Sequence, residues 1–164
     1  MDFRFQVMTD LDRADIRHWH YAAPYDFYDL DADPEDLAEF MSPPPDELQL
    51  AALDDAGRVG GFMVFSAVPG RAGTFAVGLG LRPDLTGQKG GGAFLADGLA
   101  EARERILVDR FVVRVAEFNK RALRVYERAG FKIVRRYMQP TNGSRYRFIE
   151  LERAAESGPE RSIE

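Results

Sequence analysis

Thr74-Phe-Ala-Val-Gly-Leu-Gly-Leu81, followed by Arg82-Pro-Asp-Leu-Thr-Gly-Gln-Lys-Gly-Gly-Gly92, decides how this chain is read. An apolar run interrupted by Gly78 and Gly80 passes into a glycine-rich turn. A helix follows over about 92–107, with Leu95, Leu99, Ala102 and Ile106 on one face. Such a turn offers free backbone N–H groups at the positive end of a helix dipole, which is a seat for phosphate. Residues 111–116 then form a buried-type strand, and joining it to the preceding strand demands a right-handed crossover and parallel pairing. Asn119 caps a last helix, which Gly130 closes where a left-handed residue is usual. Glycine inside the strand 73–81 suggests a bulge or the close approach of another backbone or a ligand.

Upstream, residues 3–8 alternate apolar and polar through Phe3, Phe5 and Val7, as an edge strand does. Thr9 or Asp10 caps a short helix through Arg17. Trp19, Tyr21, Tyr25, Phe27 and Tyr28 make an aromatic cluster broken by Pro24. Asp33-Pro34-Glu35 is a helix start, and Pro43, Pro44 and Pro45 end that helix near Met41. Residues 47–53 and 58–68 flank Asp54-Asp-Ala-Gly57, a hairpin signal. Downstream, 132–138 and 145–151 form an antiparallel pair joined by Pro140-Thr-Asn-Gly143. The pattern predicts an α/β (α+β) fold with a mixed, mostly antiparallel sheet of about seven strands and about four helices. It predicts one domain over 1–152 and a loose tail over 153–164.

Composition narrows the function. The 164 residues are 45% hydrophobic and 30% charged, which suits a single globular domain. No apolar run reaches the roughly 20 residues needed to span a bilayer. The first residues lack a signal peptide's apolar stretch, so the cytoplasm is the expected location and no membrane is expected as a partner. The net charge of −5 argues against nucleic acid. Charge is nonetheless uneven: no Lys or Arg stands between Arg17 and Arg58, a stretch rich in Asp and Glu, whereas 103–147 is rich in arginine. The first half suits an amine and the second suits phosphates. Cysteine is absent, which removes disulfides, thiolate metal sites and a cysteine nucleophile. His18 and His20 are the two histidines, too few for a metal centre, so no metal is expected. Gly-x-Gly-x-x-Gly with its acid about 20 residues on is unmet, as is Gly-Lys-Ser/Thr, which excludes the Rossmann and P-loop readings.

Pro83-Asp84, the turn from Thr86 to Gly92, Asn119, Tyr126 and Gly130-Phe131 together resemble the general-control-related N-acetyltransferase (GNAT) superfamily. Its pattern is a Pro-acid pair, then Arg/Gln-x-x-Gly-x-Gly/Ala opening a helix, then Asn, Tyr and Gly-Phe at set spacing. Gln88-Lys-Gly-Gly91-Gly-Ala93 fits literally. Counting from Pro83 and from the helix face of Phe94 favours Thr86-Gly-Gln-Lys89-Gly-Gly91 instead, with Thr for the usual Arg and Lys89 in place of the first Gly.

The resemblance implies acetyl-CoA as acyl donor. Thr86, Gly87, Gln88, Lys89, Gly90, Gly91 and Gly92 would hold the pyrophosphate, and pantetheine would lie between the two splayed parallel strands, against the backbone of Leu79 and Leu81 and against Asn119. A backbone N–H of the first strand would serve as the oxyanion donor. Tyr126 would bind the cofactor and, with a phenol near pKa 10, protonate the departing thiolate. Glu117 is the best-placed carboxylate for a general base, with Asp26, the histidines and a path through water as other options. Tyr21, Tyr25, Asp26, Phe27 and Tyr28 belong to the segment that covers the acceptor site and could cage an ammonium.

The expected function is N-acetyl transfer to a primary amine, a small molecule in preference to a peptide. Without a thiol to carry the acetyl group, the amine attacks the thioester directly in a ternary complex. The alternative is a domain that binds acyl-CoA, or regulates through it, without catalysis. A homodimer, common in the family, is a further expectation.

Overall fold

The computed structural model describes residues 2–156. Strands β1 (Arg4–Val7), β2 (Leu48–Leu53), β3 (Val59–Ala67), β4 (Thr74–Leu81), β5 (Arg110–Ala116), β6 (Lys132–Thr141) and β7 (Ser144–Ala154) form one sheet. Their spatial order is β1-β2-β3-β4-β5-β7-β6, antiparallel throughout except for the parallel pair β4–β5. Four helices complete the fold: α1 (Asp10–Ile16), α2 (Pro34–Met41), α3 (Gly91–Arg105) and α4 (Lys120–Arg128). None of the described helices is long and apolar enough to cross a membrane.

Local chemistry sets the helix starts. Thr9 and Asp12 form a reciprocal capping box, the Thr9 hydroxyl accepting from the Asp12 N–H at 3.2 Å and the Asp12 carboxylate accepting from the Thr9 N–H at 2.9 Å. Asp33 accepts from the Glu35 N–H at 2.9 Å ahead of Pro34, and Asn119 accepts from the Ala122 N–H at 3.1 Å.

Strand alternation divides the core between two faces. Met63, Phe65, Val77, Phe111, Val113, Ile149 and Leu151 pack beneath α3 and α4, against Phe94, Leu95, Leu99, Leu123 and Phe131. On the other face Ala51, Leu53 and Val59 meet Ile16, Trp19 and Phe40, under α1 and α2. Beyond those two helices, the second face of β5 and β7 carries Arg114 and Glu150, which stand opposite each other in register. The Glu150 carboxylate, nearly buried, accepts from Nε of Arg114 at 3.0 Å and from Nε of Arg135 at 3.1 Å.

The crossover forces β4 and β5 parallel, but they pair only over Thr74↔Arg110, Phe75↔Phe111 and Ala76↔Val112. Beyond that point each stays bonded to its outer neighbour, β4 to β3 as far as Leu81↔Gly61 and β5 to β7 as far as Ala116↔Phe148. The sheet is therefore split along its middle at one end.

Two segments differ from the sequence reading. The terminal pair is longer than 132–138 and 145–151, because Asn142 (φ 49°) and Gly143 (φ 75°) supply the two left-handed residues of a tight hairpin turn, leaving Pro140 and Thr141 in β6. β7 also continues past Leu151 to Ala154, and Ala155 is buried in the core beneath α3 and α4, so the region expected to be loose from Arg153 begins in ordered structure. The remainder of that tail, 157–164, lies outside the described residues.

Gly98 lets α3 lie close on the sheet, since a Cβ there would land on the sulfur of the fully buried Met63. Gly98→Ala gains about 1 kcal/mol of helix preference, but overpacking costs typically 1–3 kcal/mol. We expect a net loss of stability in urea unfolding, larger still for Gly98→Val. At Glu150, burial alone would raise the carboxyl pKa, but the bonds and charges of Arg135 and Arg114 outweigh it and hold the group below its ordinary value. A lowered folded pKa gives stability that is present above the unfolded carboxyl pKa, roughly 4.3, and is lost as pH falls through the lower folded value. Glu150→Gln is expected to weaken the fold at neutral pH and to flatten the decline of unfolding free energy below about pH 4.3.

Candidate active site

Splitting a sheet leaves backbone groups without a strand to bond. The Arg82 N–H donates to the Gly60 carbonyl at 2.9 Å, so by alternation the backbone of Leu81 and Leu79 faces away from β3, into the split. Likewise the Glu117 N–H donates to the Arg147 carbonyl at 2.8 Å, which turns the N–H groups of Ala116 and Arg114 into the split from the opposite lip. Two phenols meet these orphan groups. Tyr21 donates to the Leu81 carbonyl at 2.8 Å, and the Ala116 N–H donates to the Tyr28 oxygen at 3.2 Å. Burial pushes both phenols above their ordinary pKa.

The split opens into a cleft of about 260 Å³. Leu79, Leu81, Asn119 and Tyr126 line it, with the turn residues Thr86, Gly87, Gln88, Lys89, Gly90 and Gly91 at one end and Tyr21, Tyr25 and Tyr28 at the other. Gly92, Asp26, Phe27 and Glu117 are not among its lining residues. Gly92 already sits in the first turn of α3, which begins at Gly91. Phe27 instead packs its ring on Tyr146 (centroids 4.7 Å apart), Phe118 and Phe148, fastening the segment to β7.

The glycine-rich turn is held by side-chain bonds. Arg82, nearly buried, holds the Val59 carbonyl and pairs with Asp84 at 2.6 Å and with Asp54 at 3.5 Å, tying the turn to the β2–β3 hairpin. The Thr86 hydroxyl donates to the Pro83 carbonyl at 2.8 Å, and the Gln88 amide donates to the Asp84 carbonyl at 2.8 Å. Gly87 (φ 75°) and Lys89 (φ 59°) both adopt the left-handed conformation. A lysine there matches the register in which position 89 replaces a glycine. No side chain caps α3 at Gly90, so its first N–H groups remain available to an anion.

Arg121 and Arg114 line the cleft without having been singled out by sequence. The Arg121 guanidinium stacks 4.1 Å above the Tyr25 ring and lies close to Gly87, joining the turn to the aromatic segment. Its signal was positional: it stands two residues after the Asn119 cap, at the end of α4 that faces the turn. In Asn119, Oδ1 is held by the cap, which leaves the amide N–H₂ to reach the Tyr28 phenol. Tyr126 packs edge-on against Phe131, and burial, then the nearby Tyr28, pushes its phenol well above its ordinary pKa.

The carboxylates of the acidic early segment have other partners. Asp29 accepts from the Tyr21 N–H at 2.9 Å, Asp31 pairs with His20 at 2.8 Å, and Asp33 caps α2 and accepts from the Asn142 N–H. None lines the cleft. His20 groups with Asp29 and Asp31, their ligand atoms within 4.8 Å, rather than with His18, and this cluster lies away from the cleft. Glu117 is half-buried just past the end of β5 and is not among the residues that line the cleft. Among the lining residues there is no carboxylate and no imidazole.

The family profile described as acetyltransferase (GNAT) family matches residues 13–131. The chain belongs to the GNAT acetyltransferases. It is 40% identical over 86 residues to a mycothiol acetyltransferase from Salinispora arenicola (strain CNS-205), a stretch that covers 50% of this chain and 28% of that enzyme. Solved structures share the whole GNAT fold. A spermidine N-acetyltransferase from Vibrio cholerae, in complex with CoA and spermine, superposes with a TM-score of 0.76 at 13% identity, covering 93% of this chain and 95% of that one. A protein assigned as a phosphinothricin N-acetyltransferase superposes with a TM-score of 0.73 at 20% identity, covering 93% and 98%.

In this GNAT turn, a non-glycine residue held left-handed at 89 costs about 1–2 kcal/mol. Lys89→Gly is expected to raise the unfolding free energy by roughly 0.5–1 kcal/mol, and Lys89→Val to lower it by more than about 1 kcal/mol, both read from urea midpoints.

Proposed function

We propose that this protein is a cytoplasmic, acetyl-CoA-dependent N-acetyltransferase acting on a small primary amine by direct attack in a ternary complex. The observation that carries this reading is a cleft running through the split of β4 and β5, with an uncapped helix start at one end and tyrosines at the other. The CoA pyrophosphate lies on the turn 86–91 and the N-terminus of α3, with Lys89 and Arg121 as its cations. Pantetheine enters the split, where the backbone of Leu79 and the N–H groups of Leu81 and Arg114, which face the split, take the place of the missing strand partner. The thioester carbonyl draws on a backbone N–H there as its charge develops.

With no carboxylate or imidazole lining the cleft, the attacking amine loses its proton to water. A phenol of the Tyr126–Tyr28 pair then protonates the thiolate. A cleft of this size supports a small acceptor over a folded protein. The CoA and spermine complex of the Vibrio cholerae structure is consistent with that class. The same lack of a carboxylate favours the second reading, a domain that binds acyl-CoA without turnover.

Calorimetric titration with acetyl-CoA and with dephospho-CoA separates these. We expect micromolar acetyl-CoA binding, weaker for dephospho-CoA. With spermidine, free amino acids, an aminoglycoside and a dipeptide amide as acceptors, we expect thiol release with intersecting double-reciprocal lines. Binding without release from any amine supports the second reading, and no binding at millimolar acetyl-CoA removes both.

A further inference from the structure

We propose that the acceptor amine carries a carboxylate, as an amino acid does, and that Arg114 on β5 holds that carboxylate. This deepens the acetyl-transfer reading above and rests on it. The carboxylate is a handle and takes no part in the bond changes. The amine nitrogen bonds to the thioester carbon as the carbon–sulfur bond breaks with its electron pair on sulfur. The proton that the amine loses to water is made good at sulfur, leaving CoA thiol and the N-acetylated acid.

Three cations line the cleft, and they divide between its ends. Lys89 belongs to the glycine-rich turn and Arg121 lies close to Gly87, at the end assigned above to the pyrophosphate. Arg114 stands elsewhere. It shares a sheet face with Glu150, the face away from α3 and α4. Phe62, which packs with the core under α1 and α2, lines the cleft beside it, as do Tyr21 and Tyr28 of the covering segment. An acceptor meets the thioester from this side, because the donor takes the turn and the start of α3.

What marks Arg114 is how its guanidinium is held. Its Nε donates to the Glu150 carboxylate at 3.0 Å, and among the described residues its two terminal nitrogens make no hydrogen bond. Arg135 differs: it spends Nε and one terminal nitrogen on Glu150 and lies over the Tyr137 ring. Glu150 thus grips Arg114 from one side and leaves its end-on N–H groups free. That is the fork that takes a carboxylate bidentately. Nor can Glu150 neutralise it, since one carboxylate there serves two arginines. Glu152, two residues along β7, is shared by Arg71 and Arg110 in the same way. These groups leave uncompensated positive charge beside the cleft.

The rest of the lining agrees. No carboxylate lines the cleft, so the second ammonium of a polyamine would meet a guanidinium without a counter-charge. Phe62 and the phenols offer apolar surface to the remainder of an amino acid.

The test compares acceptors that differ in this charge alone. Leucine, phenylalanine and 4-aminobutyrate are each assayed against their own amide, by thiol release from acetyl-CoA, in wild type, Arg114→Gln and Arg114→Lys. For the fastest acid, the acid-to-amide ratio of kcat/KM should fall by about 10-fold or more in Arg114→Gln, mainly through KM of the acid. Comparing the ratio between proteins cancels the different basicities of the two amines. Arg114→Lys, which keeps the charge without the fork, should recover part of it. An unchanged ratio overturns the proposal while acetyl transfer stands, and so does spermidine outrunning every acid. A loss of acetyl-CoA affinity in Arg114→Gln as large as the fall in the ratio assigns the arginine to the donor and overturns it too. Acetyl-CoA binding without release from any acceptor removes the transfer reading, and this one with it. Should Arg114→Gln melt early because Glu150 loses a partner, the wild-type complex with CoA is titrated with the N-acetyl acid and with its amide. The acid should bind about 10-fold tighter or more, and equal binding overturns the proposal.

Discussion

Backbone hydrogen bonding is an obligation that a split sheet cannot meet from within. β4 and β5 leave their parallel pairing after three residue pairs because each is held by a longer antiparallel partner on its outer side. The inner N–H and C=O groups beyond Ala76 and Val112 must then find other partners or stay in contact with solvent. Everything that makes this end of the molecule a site follows from that. The split supplies the cleft, the orphan groups supply its polar lining, and the segment between α1 and α2 is drawn over it because Tyr21 and Tyr28 can answer one orphan group on each lip.

The phosphate turn shows the same economy of parts at a second place. It is held by Arg82 and by its own side-chain bonds to Pro83 and Asp84, and no side chain caps the start of α3 at Gly90 that follows it. Arg121 then joins turn to cover by stacking on Tyr25. The glycine-rich turn and the aromatic segment are thus parts of one continuous cleft wall.

Much of the fold was readable because periodicity, caps and breakers act locally. The strand–turn–helix–strand run, Asn119, Gly130 and the Asp33-Pro34 start all lie where their local chemistry puts them. The connection expected over 140–143 is shorter in the structure, because Pro140 falls on the edge strand β6, where a missing N–H is tolerated. The site was readable where it is made of backbone and unreadable where it depends on tertiary placement. Glu117 and Asp26 looked suitable by sequence position, but neither is among the residues that line the cleft. The acid-rich stretch suggested a seat for cations, but its Asp29, Asp31 and Asp33 are tied to Tyr21, His20 and the α2 cap. Charge composition reports how many carboxylates there are, not which are already engaged.

The segment over the cleft is anchored on every side. Beyond its two phenol contacts, the Asn142 side chain donates to the Phe27 carbonyl at 2.8 Å, and Asp33 takes the Asn142 N–H at 3.3 Å. Phe27 is wedged among Tyr146, Phe118 and Phe148. A cover fastened to both lips of the split and to the far hairpin has little freedom left to surrender when a ligand arrives. The mouth of the cleft on this side is therefore a shape set by the fold, and the distant β6–β7 turn takes part in setting it.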